Sequence, residues 1–427
     1  MKVYIDNPKK FLSILNSVLI GQQLSNLKEE PITLRSEFPN KEVIKVNPDR
    51  GKLIIENSAS NTSYYLKIEY ACDVKKEGEV NILIDNLKLL NKRVPDNIEN
   101  IIIESNKNKL TYNLGNLGSI RQKIYDNDIK ERRSGLREEK GRIWNLIIND
   151  SFDKLPGEKE SLTPICNAIL QINKLDKRNP ICINTIGDDS GVINVIGKSD
   201  VSSMIVSIEL NTEVEEDKSS KLWIISDIIE YIKPYFVDST FRIYKEETTE
   251  NLFKIELGEI ATIKYIKDSS LITTEYDYIN TLISNKDKRF IKMGYLICRV
   301  EDFIQTVTLH NSPDDSSVEI SIDLNTEESY LEITGDSTDQ SGKISLNNYQ
   351  YLKDKWTAIT FYSIDIKRVC EIYRKFSSSN LCFEIYKISS RMEKEDPCFL
   401  ILRLESGLTG GVPIVYLPSN IKTISTN

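Results

Sequence analysis

Hydrophobic residues follow two different periods along this chain, and the two periods alternate in the same order three times. Stretches with an apolar residue at every third or fourth position predict amphipathic helices, and stretches with one at every second position predict strands buried on one face. Each round reads as strand, helix, β-hairpins, strand, helix and further strands. The predicted helix pairs lie at 7–23 and 85–94, at 163–177 and 226–236, and at 299–311 and 365–376.

Local signals mark the ends of several of these helices. Asn7-Pro8 and Thr163-Pro164 each place a capping side chain before a proline, an arrangement favoured where a helix begins. Pro234 lies inside the helical pattern that starts near 226 and should kink or shorten that helix. The predicted helices are therefore supported by their start and stop residues as well as by hydrophobic periodicity.

The repeat spacing of roughly 140 residues is too long for a solenoid, so each round is predicted to be a complete domain with its own core. The chain has 427 residues. We predict an α+β fold with three domains of one kind, at 1–135, 136–270 and 271–427. The charged stretch 125–142 is interpreted as a linker, with a basic patch as the alternative, and a second boundary is expected near 267–292.

Composition narrows the class of protein. With 40% hydrophobic and 28% charged residues the chain is typical of a soluble globular protein. No apolar run is long enough to predict a membrane span, and the N-terminal residues do not resemble a signal peptide, so we expect a cytoplasmic location without membrane attachment. The seven cysteines contain no C-x-x-C spacing, and we interpret them as small buried apolar residues rather than disulfides or zinc ligands.

The residue types that enzymes use are scarce or wrongly spaced. His310 is the single histidine, and neither G-x-x-x-x-G-K-[ST] nor G-x-G-x-x-G occurs. Asp188-Asp189 and Asp314-Asp315 fall in predicted turns, where aspartate commonly satisfies backbone groups. We expect a protein that is not an enzyme and uses no metal or cofactor. A hydrolase built on repeated β domains stays open as an alternative.

Charge is segregated along the chain. The net charge is −8, which by itself argues against a protein coated by nucleic acid, but basic residues concentrate on the predicted helices and acidic residues in hairpins and loops. A basic layer of helices would bind DNA through its phosphates without reading bases, and the alternative is an ordinary solvated helix face. The candidate DNA-contacting residues are Lys9, Lys10, Lys88, Lys92, Arg93, Lys174, Lys177, Arg178, Lys233, Lys367, Arg368, Arg374 and Lys375.

The order and spacing of these elements resemble the bacterial sliding clamp, the β subunit of DNA polymerase III. In the first unit, EGEVNILIDNLKLLNKRV with the following KLTYNL is similar to the family's strand–helix–hairpin segment. In the third unit, RVEDFIQTVTLHN followed by VEISIDLNTEESYLEITG is similar to its helix and hairpin, and GGVPIVYLPSNI to its C-terminal strand and tail. The likeness covers nearly the whole chain and rests on order more than on identities.

The resemblance implies a mechanical function in DNA replication. Two three-domain chains would close head to tail into a homodimeric ring, with antiparallel sheets outside and two helices per domain lining a channel for double-stranded DNA. The ring would act as a processivity factor that tethers the replicative DNA polymerase, and an ATP-driven clamp loader would open it. A clamp-fold scaffold or paralogue that binds protein partners without encircling DNA is the alternative, and a chromosomal, plasmid or phage origin stays open.

The resemblance also implies two interaction surfaces. The expected ring interface pairs Tyr112 and Leu114 with Val307, Thr308 and Leu309. A partner-peptide pocket is expected between the second and third units, from Ile183, Met204, Val415, Leu417 and Pro418. The stretch GKSDVSSMIV lacks the family's glycine–histidine–arginine, and Leu417-Pro418-Ser419 replaces its methionine–proline–methionine, so the partner peptides are not identified.

Overall fold

Antiparallel sheet and a few helices make up the part of the chain that the structure describes. The computed structural model describes residues 1–24, 31–38, 51–57, 64–83, 90, 92–95, 97–106, 108–124, 141–151, 161–174, 180–185, 192–199, 204–211, 213–214, 221–224, 226–249, 251–266, 290–310, 317–323, 330–335, 341–351, 358–388, 395–405 and 411–422. None of the helices in these ranges is both long and apolar enough to cross a bilayer.

The elements follow the predicted order of strands and helices. The α-helices are α1 (Pro8–Leu24), α2 (Pro164–Asn173), α3 (Ser226–Ile232), α4 (Val300–His310) and α5 (Ser363–Tyr373). The strands are β1 (Lys2–Ile5), β2 (Pro31–Glu37), β3 (Gly51–Asn57), β4 (Tyr64–Lys76), β5 (Gly78–Leu83), β6 (Ile101–Asn106), β7 (Lys109–Asn113), β8 (Ser119–Lys123), β9 (Trp144–Asp150), β10 (Ile181–Thr185), β11 (Val192–Lys198), β12 (Ile205–Asn211), β13 (Glu213–Val214), β14 (Lys221–Ile224), β15 (Phe241–Glu246), β16 (Leu252–Leu257), β17 (Ala261–Ile266), β18 (Phe290–Arg299), β19 (Ser317–Asp323), β20 (Tyr330–Gly335), β21 (Ser341–Ser345), β22 (Asn348–Tyr351), β23 (Ala358–Tyr362), β24 (Asn380–Ile388), β25 (Glu395–Leu404) and β26 (Pro413–Lys422).

Contacts between elements divide the chain into two compact units. The first comprises Met1–Asn167, Thr212–Lys218 and Ile224–Asp268, and the second comprises Ala168–Asn211, Ser219–Trp223 and Ser269–Asn427. This division groups strands by shared sheets and does not test the three sequence repeats. The domain boundaries at 135 and 270 therefore stay a prediction.

One antiparallel sheet organises the first unit. Its strands follow the order β13-β9-β15-β16-β17-β4-β1-β6-β7-β8, with β3, β2 and β5 branching from β4. Alternate residues of these strands, such as Val3, Ile5, Ile103 and Leu110, are buried, and the residues between them point away from the core. At one end of this order, and within the described residues, β8 pairs only with β7.

Helix α1 starts where the sequence predicts. The Lys10 backbone N–H donates to Asn7 Oδ1 at 3.1 Å, so Asn7 is the capping residue and Pro8 occupies the first helical position. The Tyr70 hydroxyl donates to the Asn7 carbonyl oxygen at 3.1 Å, and the Tyr70 ring meets Phe11 edge to face at 5.6 Å. Buried Phe11 and Leu15 fix the apolar side of the helix.

The second unit is built on a sheet that branches at β26. The main order is β14-β10-β11-β12-β26-β23-β19-β20-β21, and β25, β24, β18 and β22 follow from β26 on its other branch. Its core joins α4 and α5 to both branches through residues such as Phe303, Leu331 and Val369. The Tyr373 hydroxyl lies 2.6 Å from the Leu402 carbonyl oxygen and 2.9 Å from that of Pro413, which ties α5 to the sheet.

The remaining helix predictions are confirmed within a few residues where the chain is described. Thr163 caps α2, because its Oγ1 accepts the Cys166 N–H at 3.3 Å. Helix α3 ends at Ile232 and a 3₁₀ turn that contains Pro234 follows it, as the proline predicts. The predicted helix at 85–94 falls mostly outside the described residues, of which 90, 92 and 93 are helical. The free cysteines are buried, as expected, at positions 72, 166, 182, 298, 370 and 382.

Candidate functional site

The cations that the sequence assigns to DNA contact lie mainly near helix ends. Most of the described ones lie at a helix end or within a 3₁₀ turn that follows a helix, whereas Lys367 and Arg368 lie in the middle of α5, and none of those described is fully buried. The exposed ones are Lys9, Lys10, Lys92, Arg93, Lys174, Lys233, Arg374 and Lys375. Lys367 and Arg368 are half-buried, and Lys88, Lys177 and Arg178 lie outside the described residues.

Two of these lysines influence each other electrostatically in the second unit. Lys174 follows the C-terminus of α2, and Lys375 lies in the 3₁₀ turn after α5, where the helix dipoles favour positive charge. Partial burial and then the charge of Lys174 lower the pKa of Lys375. A nearby anion would offset this repulsion.

Arg368 differs from the exposed cations because a neighbour holds it. Its guanidinium donates to Ser199 Oγ, and its side chain is half-buried. Arg374 is exposed at the start of the turn after α5. Arg374 is therefore freer to meet an outside anion than Arg368.

The predicted ring-interface residues fall into two groups. Tyr112, Leu114 and Val307 are buried within their own units. Thr308 and Leu309 are exposed near the end of α4, and Leu309 is 77% exposed. The geometry thus leaves Leu309 as the apolar side chain of this set that another molecule can reach directly.

Leu117 is an exposed apolar residue that the sequence reasoning missed. It is 60% exposed and lies in the 3₁₀ turn Gly115–Leu117, which joins β7 to β8. A single leucine in a Gly-Asn-Leu-Gly turn belongs to no hydrophobic period, so periodicity does not identify it. The turn residues between two short strands indicate that Leu117 lies in a surface turn.

In the second unit the strand order ends at β21, and α4 packs closely against this strand. Strand β21 pairs only with β20 among the described residues. A Cβ atom added at Gly342 would collide with the side chains of Thr306 and His310. Glycine therefore lets α4 lie directly on this strand, beside the exposed Leu309.

The predicted pocket residues lie on neighbouring strands of the second unit, with their side chains inside. Ile183, Met204, Val415 and Leu417 are each at most 1% exposed, and the side chain of Pro418 lies outside the described part. Met204, Val415 and Leu417 belong to the core beneath α4 and α5. The structure thus brings Met204, Val415 and Leu417 together in one core cluster.

The alternate residues of the same strands form a second apolar cluster on the other face of the sheet. It contains Ile205 and Tyr416, which are direct partners across β12 and β26, together with Tyr386 and Ile401. The sequence prediction considered only Val415 and Leu417 of the IVYLP strand and did not consider the alternate residue Tyr416, whose side chain lies on the other face.

A buried carboxylate stiffens the edge of this second cluster. Glu384 Oε1 accepts from Lys292 Nζ at 2.8 Å and from Arg403 Nη2 at 2.6 Å, and the Tyr386 hydroxyl donates to Oε2 at 3.3 Å. Burial acts to raise the pKa of Glu384, but the hydrogen bonds and charges of Lys292 and Arg403 outweigh it and the pKa is lowered. Glu384 therefore stays ionised and fixes the two cations at the surface.

Comparison with known proteins identifies the fold. No protein-family model matches the chain, and no curated protein matches it in sequence. Solved structures do match: the DNA polymerase sliding clamp of Bacillus subtilis has a TM-score of 0.64 at 11% identity over 100% of both chains. The DNA polymerase III β subunit of Thermotoga maritima has a TM-score of 0.59 at 10% identity, again over 100% of both.

This chain has the fold of the bacterial β clamp. A third match, the Helicobacter pylori β clamp bound to a DNA ligase peptide, has a TM-score of 0.58 at 14% identity and covers 98% of this chain and 99% of the other. The resemblance drawn from the order of elements is confirmed at the level of the fold.

Within the clamp fold, Leu417 serves the core, and its truncation should show this. Leu417→Ala should lower the free energy of unfolding by about 2–5 kcal/mol, because it removes buried methyl groups and leaves a cavity. Chemical denaturation measures the effect. Ile143→Ala, at a residue 57% exposed, is the control and should change stability by less than about 0.5 kcal/mol. Equal unfolding curves for Leu417→Ala and wild type would contradict the buried placement.

Proposed function

We propose that this chain is a divergent bacterial sliding clamp, a homodimeric ring that encircles double-stranded DNA and tethers the replicative DNA polymerase. The observation that carries the proposal is the full-length match to bacterial clamps, with TM-scores of 0.64 and 0.59 over 100% of both chains. A tether needs no catalytic group of its own. The polymerase performs synthesis, and a clamp loader supplies ATP hydrolysis.

The proposed DNA contact uses the helix cations. Each chain would contribute three domains, at 1–135, 136–270 and 271–427, and their helices would line the channel. The exposed cations at helix ends, including the Lys174–Lys375 pair, are suited to phosphates and contain no base-reading arrangement. The net charge of −8 would then reside mainly away from the channel.

The proposed ring closes through the two sheet ends. Strand β8 ends the strand order in one unit and β21 in the other, and each lies beside an exposed leucine, Leu117 and Leu309. If β8 of one chain meets β21 of its partner, the contact is heterologous. A dimer that forms this contact twice is a closed ring. Thr308 would lie in this contact, with buried Tyr112, Leu114 and Val307 supporting it from beneath.

The proposed partner-peptide site stays with Ile183, Met204, Val415, Leu417 and Pro418. Because the first four side chains are buried, they would form the base on which the site is built. The H. pylori clamp bound to a DNA ligase peptide supports peptide binding by this fold. An extended peptide with apolar anchors, carried by a polymerase or loader, fits such a site.

A topological assay tests the proposed function. The dimer is dissociated by dilution, re-formed in the presence of a nicked circular plasmid, and separated from free protein by gel filtration at moderate salt. A closed ring should stay on the circle and be lost when the plasmid is linearised, because it slides off the ends. Light scattering should give twice the chain mass of 49.0 kDa. If linearising the plasmid does not reduce retention, or if light scattering gives the mass of a monomer, the result would favour a clamp-fold scaffold that does not encircle DNA.

A further inference from the structure

The solvent-facing side of strands β7 and β8 carries a concentration of positive charge, and the neighbouring strand β6 places Glu104 opposite Thr111 on the same face. Along β7 the side chains alternate, so that Leu110 and Tyr112 are buried while Lys109 is exposed. Strand β8 places Arg121 and Lys123 on the same side, because Lys123 is the direct partner of Lys109 and Arg121 that of Thr111. These positions lie on the face of the sheet opposite the core.

The cations on this face lack neutralising partners. Lys109 and Lys123 are directly opposite each other, an arrangement that destabilises a sheet unless an anion intervenes. The nearby carboxylate of Glu104 lies 3.7 Å from Lys2 Nζ. Among the described residues, no carboxylate lies within ion-pair distance of Lys109, Arg121 or Lys123. The cluster persists in a chain of net charge −8, so it does not reflect a generally basic composition.

The neighbours of these cations indicate which kind of anion fits. Thr111, Asn113 and Ser119 lie between and beside them, and such short polar side chains commonly contact phosphates. Tyr112 is buried, so no aromatic ring on β7 or β8 is available for base stacking. A protein partner would require apolar anchors, which the strands themselves do not expose on this face.

We propose that the outer face of β7 and β8 is a second nucleic-acid surface that binds the sugar–phosphate backbone. It is independent of the proposed channel, because its cations lie on strands whereas the channel cations lie on helices. It would also exist in a protein that does not encircle DNA. Its contacts would be independent of base sequence and sensitive to salt.

DNA that cannot thread a ring isolates this surface. Short single-stranded and double-stranded DNA, each blocked at both ends with streptavidin, are titrated with the pre-formed dimer, and binding is followed by fluorescence anisotropy between about 50 and 200 mM salt. The test variant is K109E/R121E/K123E, with K109Q/R121Q/K123Q as the milder form. The matched control is K9E/K10E/K92E, which reverses three helix cations. Circular dichroism confirms that each variant folds.

The proposal requires wild-type binding to end-blocked DNA that the β7–β8 variant loses by at least about tenfold. The slope of log affinity against log salt should fall by about 2–3, since each phosphate contact contributes roughly 0.9 for a duplex and 0.7 for a single strand. The helix variant should keep this binding while losing retention on circular plasmid, so failure here and failure of the ring proposal are distinguishable. Three results would overturn the proposal of a second nucleic-acid surface. They are a wild type that does not bind end-blocked DNA, a β7–β8 variant that binds it as tightly as wild type, and equally tight binding of poly-glutamate.

Discussion

Reversing Lys92, Arg93 and Arg374 to glutamate should abolish retention of the protein on circular DNA. All three side chains are exposed at helix ends. A charge-assisted contact to phosphate contributes on the order of 1 kcal/mol, so three residues in each of two subunits correspond to roughly 6 kcal/mol, or about a 10⁴-fold loss of affinity. Gel filtration with nicked plasmid measures the loss, and wild-type retention should itself weaken with salt.

The K109E/R121E/K123E variant is the matched control for this result. It has the same change in charge but places it on strands. Because β8 ends its sheet at the proposed ring contact, sedimentation velocity first checks that this variant is a dimer, and the dimer should then still slide and still leave a linearised plasmid. Retention of the Lys92, Arg93 and Arg374 variant, or a strong preference for particular base sequences, would count against a phosphate-lined channel.

Leu309→Asp should convert the dimer into monomers. Leu309 is 77% exposed in the isolated chain, and the proposed ring contact would bury it against the opposite end of the partner. Placing a carboxylate in such an apolar contact costs about 3 kcal/mol, and the ring contains the contact twice, so the dissociation constant should rise by roughly 10⁴. Leu117→Asp should act in the same direction from the other side of the contact.

Sedimentation velocity at micromolar concentration distinguishes the two species by mass. Tyr349→Asp is the control, since Tyr349 is 43% exposed in the same unit and lies outside the proposed contact. If Leu309→Asp dimers are as stable as wild type, the interface does not include Leu309. If the wild-type protein is monomeric, the ring proposal is wrong.

The sequence by itself determined the local features of this protein. The starts of α1 and α2 follow from Asn7 and Thr163, because a cap requires only a side-chain oxygen and the backbone N–H groups a few residues later. The end of α3 follows from Pro234, which cannot continue the hydrogen-bond ladder. Strand faces such as Val318 and Ile320 follow from alternation alone. The three-fold order of these elements was enough to indicate the clamp fold.

Only the tertiary structure decided which of the predicted site residues are accessible. Leu114 and Leu309 are chemically identical, yet the first is buried and the second exposed, because neighbouring elements cover one and leave the other open. The same reasoning from alternation could not decide which face of β26 serves the core, since both Leu417 and Tyr416 are apolar and both faces are covered.

Sheet continuity is the other property that the sequence does not contain. Strands assigned to different repeats pair in register, as Lys264 with Tyr65 in the first unit and Ile205 with Tyr416 in the second. Such pairing depends on backbone groups that every residue has, so no side-chain pattern announces it. A repeat of about 140 residues therefore marks sequence units, whereas backbone hydrogen bonding between strands far apart in the chain decides which of them share a sheet.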